Sequence, residues 1–442
     1  MVCGLHRRDL QAAMLTVRHQ CTISEAAYQA EEAGVQHGHI LAEAARTADT
    51  LRAPRADARN EGGLPTRDSG MALATPSGLA AAALAAFTAR DEEKDTALPS
   101  GTTIEEMLLR EALKHDAEEQ LAHSWVVDLE DAWVRGLPRG DRDAIIGLWN
   151  AGRTSSQQLE SISRSLGSND ALRRCEEQLS EMEALFAESG ADARRLYVAL
   201  ASQPDIRPDE LDNAEVLQVV FDLRATLKAV LSAYVKEGPV GITNEASTFA
   251  RLWDVVFGTM TASGLRTTAA DETIEASKYR KLLTYPDRHN VRGLQSDKAW
   301  VTTTGEVVAW GEGKVGSWIK SWREADGARL KAIKGSKDCA TLTCAKTGKC
   351  LEAFAPTWLG CDWEAYATIM LPSGACITGT LFGLQMPTNV DGFPRLSQVL
   401  RHVIVWNHVL EQHACELART TSAKRPPPSL LSAASPKEPK SR

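Results

Sequence analysis

The sequence lacks a long, strongly apolar run. Its longest stretch without a charged residue, Ser69 to Ala89, consists mostly of Ala, Ser, Thr, Gly and Pro, and Pro76 interrupts it. A membrane-spanning helix needs about 20 predominantly apolar residues, so this composition favours an alanine-rich linker or short helix instead. The first residues also lack the apolar segment of a secretory signal. We therefore expect a soluble, intracellular protein without a membrane partner, in either the nucleus or the cytoplasm.

The cysteines lack the spacing of a structural zinc site. No two of the nine are separated by just two residues, the arrangement that most such sites use. Their number is odd, and the chain is too large to need covalent cross-links. The pattern therefore predicts reduced thiols, which agrees with an intracellular location.

An overall excess of positive charge is also missing. Fifty Lys and Arg against 58 Asp and Glu give a net charge of -8, which argues against a uniformly basic nucleic-acid coat. The charge is nevertheless uneven, since Lys278 to Lys346 holds fourteen Lys or Arg and seven Asp or Glu, a local charge of +7. Such asymmetry is expected where phosphates approach. A solvated basic helix and loop from Arg323 to Lys346 explains it equally well.

The 442 residues, 43% hydrophobic and 24% charged, exceed what one hydrophobic core usually holds, so we expect more than one region. Residues 1 to 100 show no sustained apolar stripe and are predicted to be largely disordered, like the Pro-, Ser- and Lys-rich residues 420 to 442. Residues 102 to 236 carry apolar residues at helical spacing, which predicts short amphipathic helices, one of them over Leu121 to Trp133. This helical N-terminal region is a candidate for binding a protein partner.

After Gly238-Pro239 the pattern changes to that of a mixed α+β or α/β module, residues 240 to 418. It predicts one helix, a hairpin, two further strands and a closing helix, over residues 244–262, Val301 to Val315 with a turn at Thr304-Gly305, Ala367 to Met386 around Pro372-Ser373-Gly374, and Leu396 to Leu417. The fold class expected is thus a helical region followed by a mixed sheet flanked by helices.

Two carboxylates and a lysine are expected at one end of the predicted hairpin. Side chains alternate along a strand, so Glu312 and Lys314 point to the same side. The turn folds the chain back and places Asp297 near the same end, where Asp297 and Glu312 could share a Mg²⁺ ion. The alternative is that Asp297 is a turn residue and that Glu312 and Lys314 form an exposed ion pair of little energetic value.

This spacing resembles the PD-(D/E)XK nuclease superfamily. Ser296-Asp297 matches the Pro-Asp pair, with Ser replacing Pro, and Glu312-Gly313-Lys314 matches the Glu-X-Lys motif. With Gly311 in front, the motif is similar to that of uncharacterised fungal members. Upstream, Asn244-Glu245 followed by Trp253-Asp254 is similar to their leading helix, and the resemblance implies that Glu245 faces the site.

The resemblance implies a restriction-endonuclease-like sheet that hydrolyses phosphodiester bonds in DNA or RNA. Asp297 and Glu312 would bind Mg²⁺, and Lys314 would orient the attacking water. No Gln or Lys follows Lys314 where many members carry a further polar residue, although Lys320, on a helix expected over Ser317 to Arg323, could substitute. Two hypotheses therefore remain: a Mg²⁺-dependent nuclease, or an inactive nuclease fold that binds protein or nucleic acid as a scaffold.

Four tryptophans near the motif allow two interpretations. They could stack on nucleic-acid bases. Packing of a hairpin against a helix is the preferred prediction for this set, which comprises Trp300, Trp310, Trp318 and Trp322.

Overall fold

The computed structural model describes residues 83–84, 87–88, 90–114, 121–157, 170–190, 192–203, 214–237, 253–259, 265–267, 272–273, 275–284, 295–303, 305–314 and 322–420. The chain divides into two units, Met1–Leu73 and Ala74–Arg442, and every described residue belongs to the second. The predictions of disorder for most of residues 1 to 100 and for the tail after Thr420 fall outside the described residues, as does Glu245.

The described residues form a mixed α+β structure. Its ten α-helices are α1 Ile104–Lys114, α2 Ala132–Arg135, α3 Arg139–Gly152, α4 Asp170–Ser189, α5 Ala193–Ser202, α6 Ala214–Glu237, α7 Asp254–Thr259, α8 Glu275–Thr284, α9 Trp322–Thr347 and α10 Phe393–Thr420. Its strands are β1 Val126–Asp128, β2 Leu265–Thr267, β3 Glu272–Thr273, β4 Gln295–Ser296, β5 Lys298–Thr302, β6 Val307–Lys314, β7 Ala353–Leu359, β8 Asp362–Met370 and β9 Cys376–Gln385. None of the helices in this part of the chain is both long and apolar enough to cross a membrane.

Seven strands form the main sheet, in the order β1-β9-β8-β7-β6-β5-β2, and β3 pairs with β4. The pairs β6–β7 and β1–β9 are parallel, and the other pairs in the main sheet are antiparallel. Helix α9 makes the crossover from β6 to β7. The carboxyl ends of β6, β7 and β9 therefore lie at one edge of the sheet, together with the start of β5, whereas β1 pairs with the first residues of β9. We call this edge of the sheet the carboxyl edge.

Helix α9 covers one face of the sheet and approaches it closely at a glycine. A Cβ placed on Gly335 would lie 1.3 Å from the indole ring of Trp310, so only glycine fits at this contact. Ala332 of the same helix packs with Ala355 and Tyr366. Small residues on α9 thus let the helix backbone rest directly on strands β6 to β8.

Aromatic rings fill the opposite face of the sheet, beneath α7 and α10. The Phe257 ring of α7 lies 5.0 Å from Trp363, and the Trp406 ring of α10 lies 6.0 Å from Trp300. Side-chain alternation along β6 places Trp310 on the α9 face instead. Trp300 and Trp310 are both fully buried, so the structure confirms core packing for these two tryptophans.

The structure confirms the predicted hairpin, the two later strands and the closing helix. The turns contain Gly305 and Gly374, whose φ angles of +96° and +92° favour glycine. The closing helix Phe393–Thr420 extends the predicted Leu396 to Leu417 by three residues at each end. Of the helix predicted over residues 244 to 262, the described part is Asp254–Thr259.

The helix predicted over Leu121 to Trp133 is wrong. This segment contains β1, which pairs with β9, and Trp125 just before it has a φ of +58°, which no α-helix adopts. Val126 and Val127 are fully buried in the sheet. A short apolar run of this kind has no periodicity that separates a buried strand from a helix. The predicted helical region thus contributes a strand to the main sheet.

Candidate functional site

The topology brings the three motif residues to the carboxyl edge. Glu312 and Lys314 lie at the end of β6, and Asp297 immediately precedes β5, whose first residue, Lys298, pairs with Gly311. Sites in open sheets with parallel strands commonly form at such an edge, because loops and helix ends converge there. Lys314 aligns with Leu359 of β7, and its side chain lies outside the described part of the chain.

Asp297 is held by the backbone of β6. Its N–H donates to the Gly311 carbonyl at 3.1 Å, and its Oδ2 accepts from the Gly313 N–H at 2.7 Å. The carboxylate therefore lies beside the peptide that joins Glu312 to Gly313. Asp297 remains half-buried, so solvent reaches this side of the edge.

Glu312 is buried on the α9 face, with 1% of its surface exposed. The Nζ of Lys331, on α9, lies 2.5 Å from Glu312 Oε1. A buried carboxylate is costly unless a cation or hydrogen-bond donors compensate for its desolvation. Lys331 supplies that cation while 36% of its own side chain stays exposed. The interpretation of Glu312 as part of an exposed surface pair is therefore wrong.

A row of polar side chains continues from Glu312 across the sheet. Glu312 aligns with Thr357 of β7, and Thr357 aligns with Glu364 of β8. The Tyr366 hydroxyl donates to the Glu364 carboxylate, and the Thr357 hydroxyl donates to Tyr366 Oη at 3.5 Å. Burial raises the pKa of Tyr366, and the negative charge of Glu364 adds to that effect. Tyr366 therefore remains a neutral hydrogen-bond donor.

A second ion pair lies under helix α9, away from the carboxyl edge, where β1 pairs with the first residues of β9. Asp128, at the end of β1, is fully buried and accepts from Arg329 of α9, with Arg329 Nη2 2.7 Å from Oδ1. The guanidinium carbon also lies 5.1 Å from the centre of the Tyr366 ring. Helix α9 thus supplies a cation to each of two buried carboxylates, Lys331 to Glu312 of β6 and Arg329 to Asp128 of β1.

Asp131 follows β1 and has a strongly perturbed carboxyl group. Burial, followed by the nearby negative charge of Asp128, raises its pKa to about 7. The charge of Arg329 and a hydrogen bond from Trp133 Nε1 at 3.2 Å oppose this shift in part. Perturbed carboxyl groups are common at functional sites, although structural charge networks produce them as well.

On the opposite face, Lys298 forms a separate ion pair. Its Nζ lies 2.8 Å from Asp254 Oδ1 at the start of α7, and 5.8 Å from the centre of the Phe257 ring. The aromatic-Asp step of the sequence motif, Trp253-Asp254, therefore contacts β5 rather than Glu312. This pair joins α7 to the start of β5 immediately beside Asp297.

The sequence did not identify three residues of these ion pairs: Lys331, Arg329 and Asp128. Both cations lie in the basic segment Lys278 to Lys346, so local charge was the available signal, but it could not single them out. Asp128 was concealed by the incorrect helix prediction. Lys320 lies outside the described residues.

The edge residues fit Mg²⁺ only with help from other ligands. Within the described ranges, no three His, Cys, Asp or Glu side chains are grouped so as to hold a metal ion. Mg²⁺ is commonly bound by just one or two carboxylates, with water and substrate phosphate completing its shell. Asp297 and Glu312 supply two carboxylates, which meets that smaller requirement in residue type.

Comparison with known proteins adds no relative from which a function can be transferred. The chain matches no family model, no curated protein and no solved structure. Any function assigned to this edge therefore rests on its own residues.

Proposed function

We propose that the carboxyl edge catalyses Mg²⁺-dependent hydrolysis of phosphodiester bonds in DNA or RNA. The observation that carries this proposal is the Asp297 carboxylate held at 2.7 Å by the Gly313 N–H, directly beside Glu312 at the end of β6. The mixed sheet between helices and the +7 charge of Lys278 to Lys346 support it. All three agree with a protein of the PD-(D/E)XK nuclease type.

In this mechanism Asp297 and Glu312 would hold the Mg²⁺ ion, and nearby lysines would offset negative charge and orient the attacking water. Bound Mg²⁺ supplies Lewis-acid activation of the phosphate and a water of lowered pKa. The Gly313 N–H orients the Asp297 carboxylate. Lys331 offsets the charge of Glu312 while part of its own side chain faces solvent. Lys314, two residues beyond Glu312, is assigned to orienting the attacking water.

A second candidate function is nucleic-acid binding without turnover. The Glu312–Lys331 pair favours it, because a buried carboxylate already compensated by an ammonium group at 2.5 Å needs no metal for stability. The basic segment would then bind phosphates, and the nuclease-like sheet would act as a scaffold.

The test uses the purified full chain with Mg²⁺ and plasmid, single-stranded DNA or RNA. Asp297→Asn should weaken Mg²⁺ dependence and turnover, and Lys314→Ala should lower cleavage by about 10²-fold or more. Both variants should keep nucleic-acid binding, which should fall steeply with salt. Asp143→Asn, an exposed carboxylate on α3, is the matched control and should behave like the wild type.

Two results separate the candidates. Undiminished cleavage by Asp297→Asn and Lys314→Ala rejects the catalytic assignment. Salt-sensitive binding by the wild type without cleavage under Mg²⁺, Mn²⁺ or Ca²⁺ selects the scaffold function.

A further inference from the structure

Two thiols meet where α9 ends. Cys344 lies in the last turns of α9, Cys350 lies in the loop that leads to β7, and their Sγ atoms are 3.1 Å apart. Cys344 is buried in the same apolar cluster as Cys339 and Cys376, whereas Cys350 is exposed. The pair therefore combines one protected sulfur with one that reagents can reach.

Backbone hydrogen bonds hold the loop in this position. Gly348 has a φ of +70°, and its N–H donates to the Cys344 carbonyl at 2.7 Å, which ends the helix. The Lys349 N–H donates to Thr347 Oγ1 at 3.1 Å, and the Leu351 N–H donates to the Lys349 carbonyl at 3.1 Å. The return of Cys350 to Cys344 is thus built into the local fold.

We propose that Cys344 and Cys350 form a reversible dithiol–disulfide site whose oxidant is a low-molecular-weight disulfide such as glutathione disulfide. The proposal is independent of the hydrolysis proposed for the carboxyl edge. A disulfide has its sulfurs about 2 Å apart. The two sulfurs must therefore approach by about 1 Å, which side-chain rotation within the loop can supply.

The exchange proceeds in two balanced steps. The Cys350 thiolate attacks one sulfur of glutathione disulfide, whose S–S bond breaks and releases one glutathione thiolate, leaving a mixed disulfide on Cys350. Cys344 then loses its proton to solvent and attacks the Cys350 sulfur, which expels the second glutathione. The protein dithiol is oxidised by two electrons, and one glutathione disulfide is reduced to two glutathione thiols.

The environment of each sulfur suits this order of events. The hydrogen bond from Cys344 lowers the pKa of Cys350, although the partial burial of its sulfur opposes the shift. The same hydrogen bond, reinforced by burial, raises the pKa of Cys344. Thiolate character and access therefore both favour Cys350 as the entry point. Cys344 is the resolving thiol.

The experiment incubates the full chain with glutathione disulfide, traps free thiols by alkylation and locates disulfides by tryptic mass spectrometry. Lys346 and Lys349 lie between the two cysteines, so the expected bond appears as two linked peptides. Fragmentation separates Cys344 from Cys339 in one peptide, and Cys350 from Cys361 and Cys376 in the other. We expect the link in the wild type and its loss after reduction. Cys415→Ser, which removes another exposed thiol, should retain the link.

Two cysteine variants test the assigned roles. Cys350→Ser, an exposed and structurally mild change, should lose the link and leave Cys344 available to the alkylating reagent once the protein is unfolded. Cys344→Ala should accumulate glutathione on Cys350. The proposal is overturned if wild-type Cys350 keeps glutathione while Cys344 still alkylates, if Cys344 links to Cys376 instead, or if neither cysteine reacts.

Discussion

At the residue scale, the contact between α9 and the sheet depends on charged side chains placed where burial makes them costly. Glu312 is almost completely buried and Asp128 fully so, and each is compensated by a cation from α9. Removing one partner of such a pair leaves a desolvated charge, which costs far more than the loss of an exposed pair. Because these two carboxylates are buried, the stability of the sheet depends on the position of α9, which supplies both cations.

The first prediction concerns the pair of Glu312 and Lys331. Lys331→Met should lower the free energy of unfolding by about 1 to 3 kcal/mol, less than a fully buried pair would lose, because Lys331 is partly exposed. Adding Glu312→Gln should recover much of the loss, because the buried charge is then removed as well. Urea unfolding measures both effects.

The surface pair Lys349–Glu416, at 3.9 Å, provides the control. Lys349→Met should change stability by no more than about 0.5 kcal/mol. An equal cost for Lys331→Met and Lys349→Met would show that Lys331 does not compensate a buried charge.

The second prediction concerns pH and Asp131. Because its pKa is raised to about 7 in the folded protein, the folded state retains a proton that the unfolded chain loses near pH 4. The stabilisation from this proton is complete below about pH 4 and is lost as the pH rises through 7. Asp131→Asn should therefore have little effect at about pH 4 and should stabilise the protein at about pH 8.

Thermal or urea unfolding across this pH range measures the effect. Asp143→Asn, which changes an exposed carboxyl group, should leave the pH profile of the wild type unaltered. Parallel pH profiles for Asp131→Asn and the wild type would contradict a raised pKa at Asp131.

At the scale of elements, α9 positions the site. It makes the crossover between the parallel strands β6 and β7, and it carries Lys331, Arg329 and the thiol of Cys344. Its distance from the sheet is set by glycine and alanine rather than by large apolar side chains. An increase in that distance would draw both cations away from their carboxylates.

The third prediction tests this close approach. Gly335→Ala should destabilise the protein by about 1 to 3 kcal/mol, because the added methyl group would collide with the Trp310 ring. Gly327→Ala in the same helix meets nothing within 4 Å and should stabilise by up to about 1 kcal/mol through helix propensity alone. Denaturant unfolding of both variants measures the change in the free energy of unfolding. Stabilisation by both changes would mean that α9 does not rest on Trp310.

At the scale of the whole molecule, the predicted helical region and the predicted module share a core. The Glu352 carboxylate before β7 accepts from Ser156 Oγ at 2.6 Å, and Arg401 of α10 binds Glu176 and Glu183 of α4 at 2.7 and 2.8 Å. The pairing of β1 with β9 adds a backbone connection. These contacts join the two predicted regions.

The sequence by itself determined the elements whose signals are local. Glycine at a turn that needs a positive φ identified both hairpins, and the apolar period of residues 396 to 417 identified α10, because neighbouring residues alone produce these signals. Only the tertiary structure decided that β1 joins the sheet, that Lys331 reaches Glu312 and that Arg329 reaches Asp128. Those contacts join residues 19 to 250 positions apart, through strand order and the rotation of α9. No pattern within a few residues encodes such contacts.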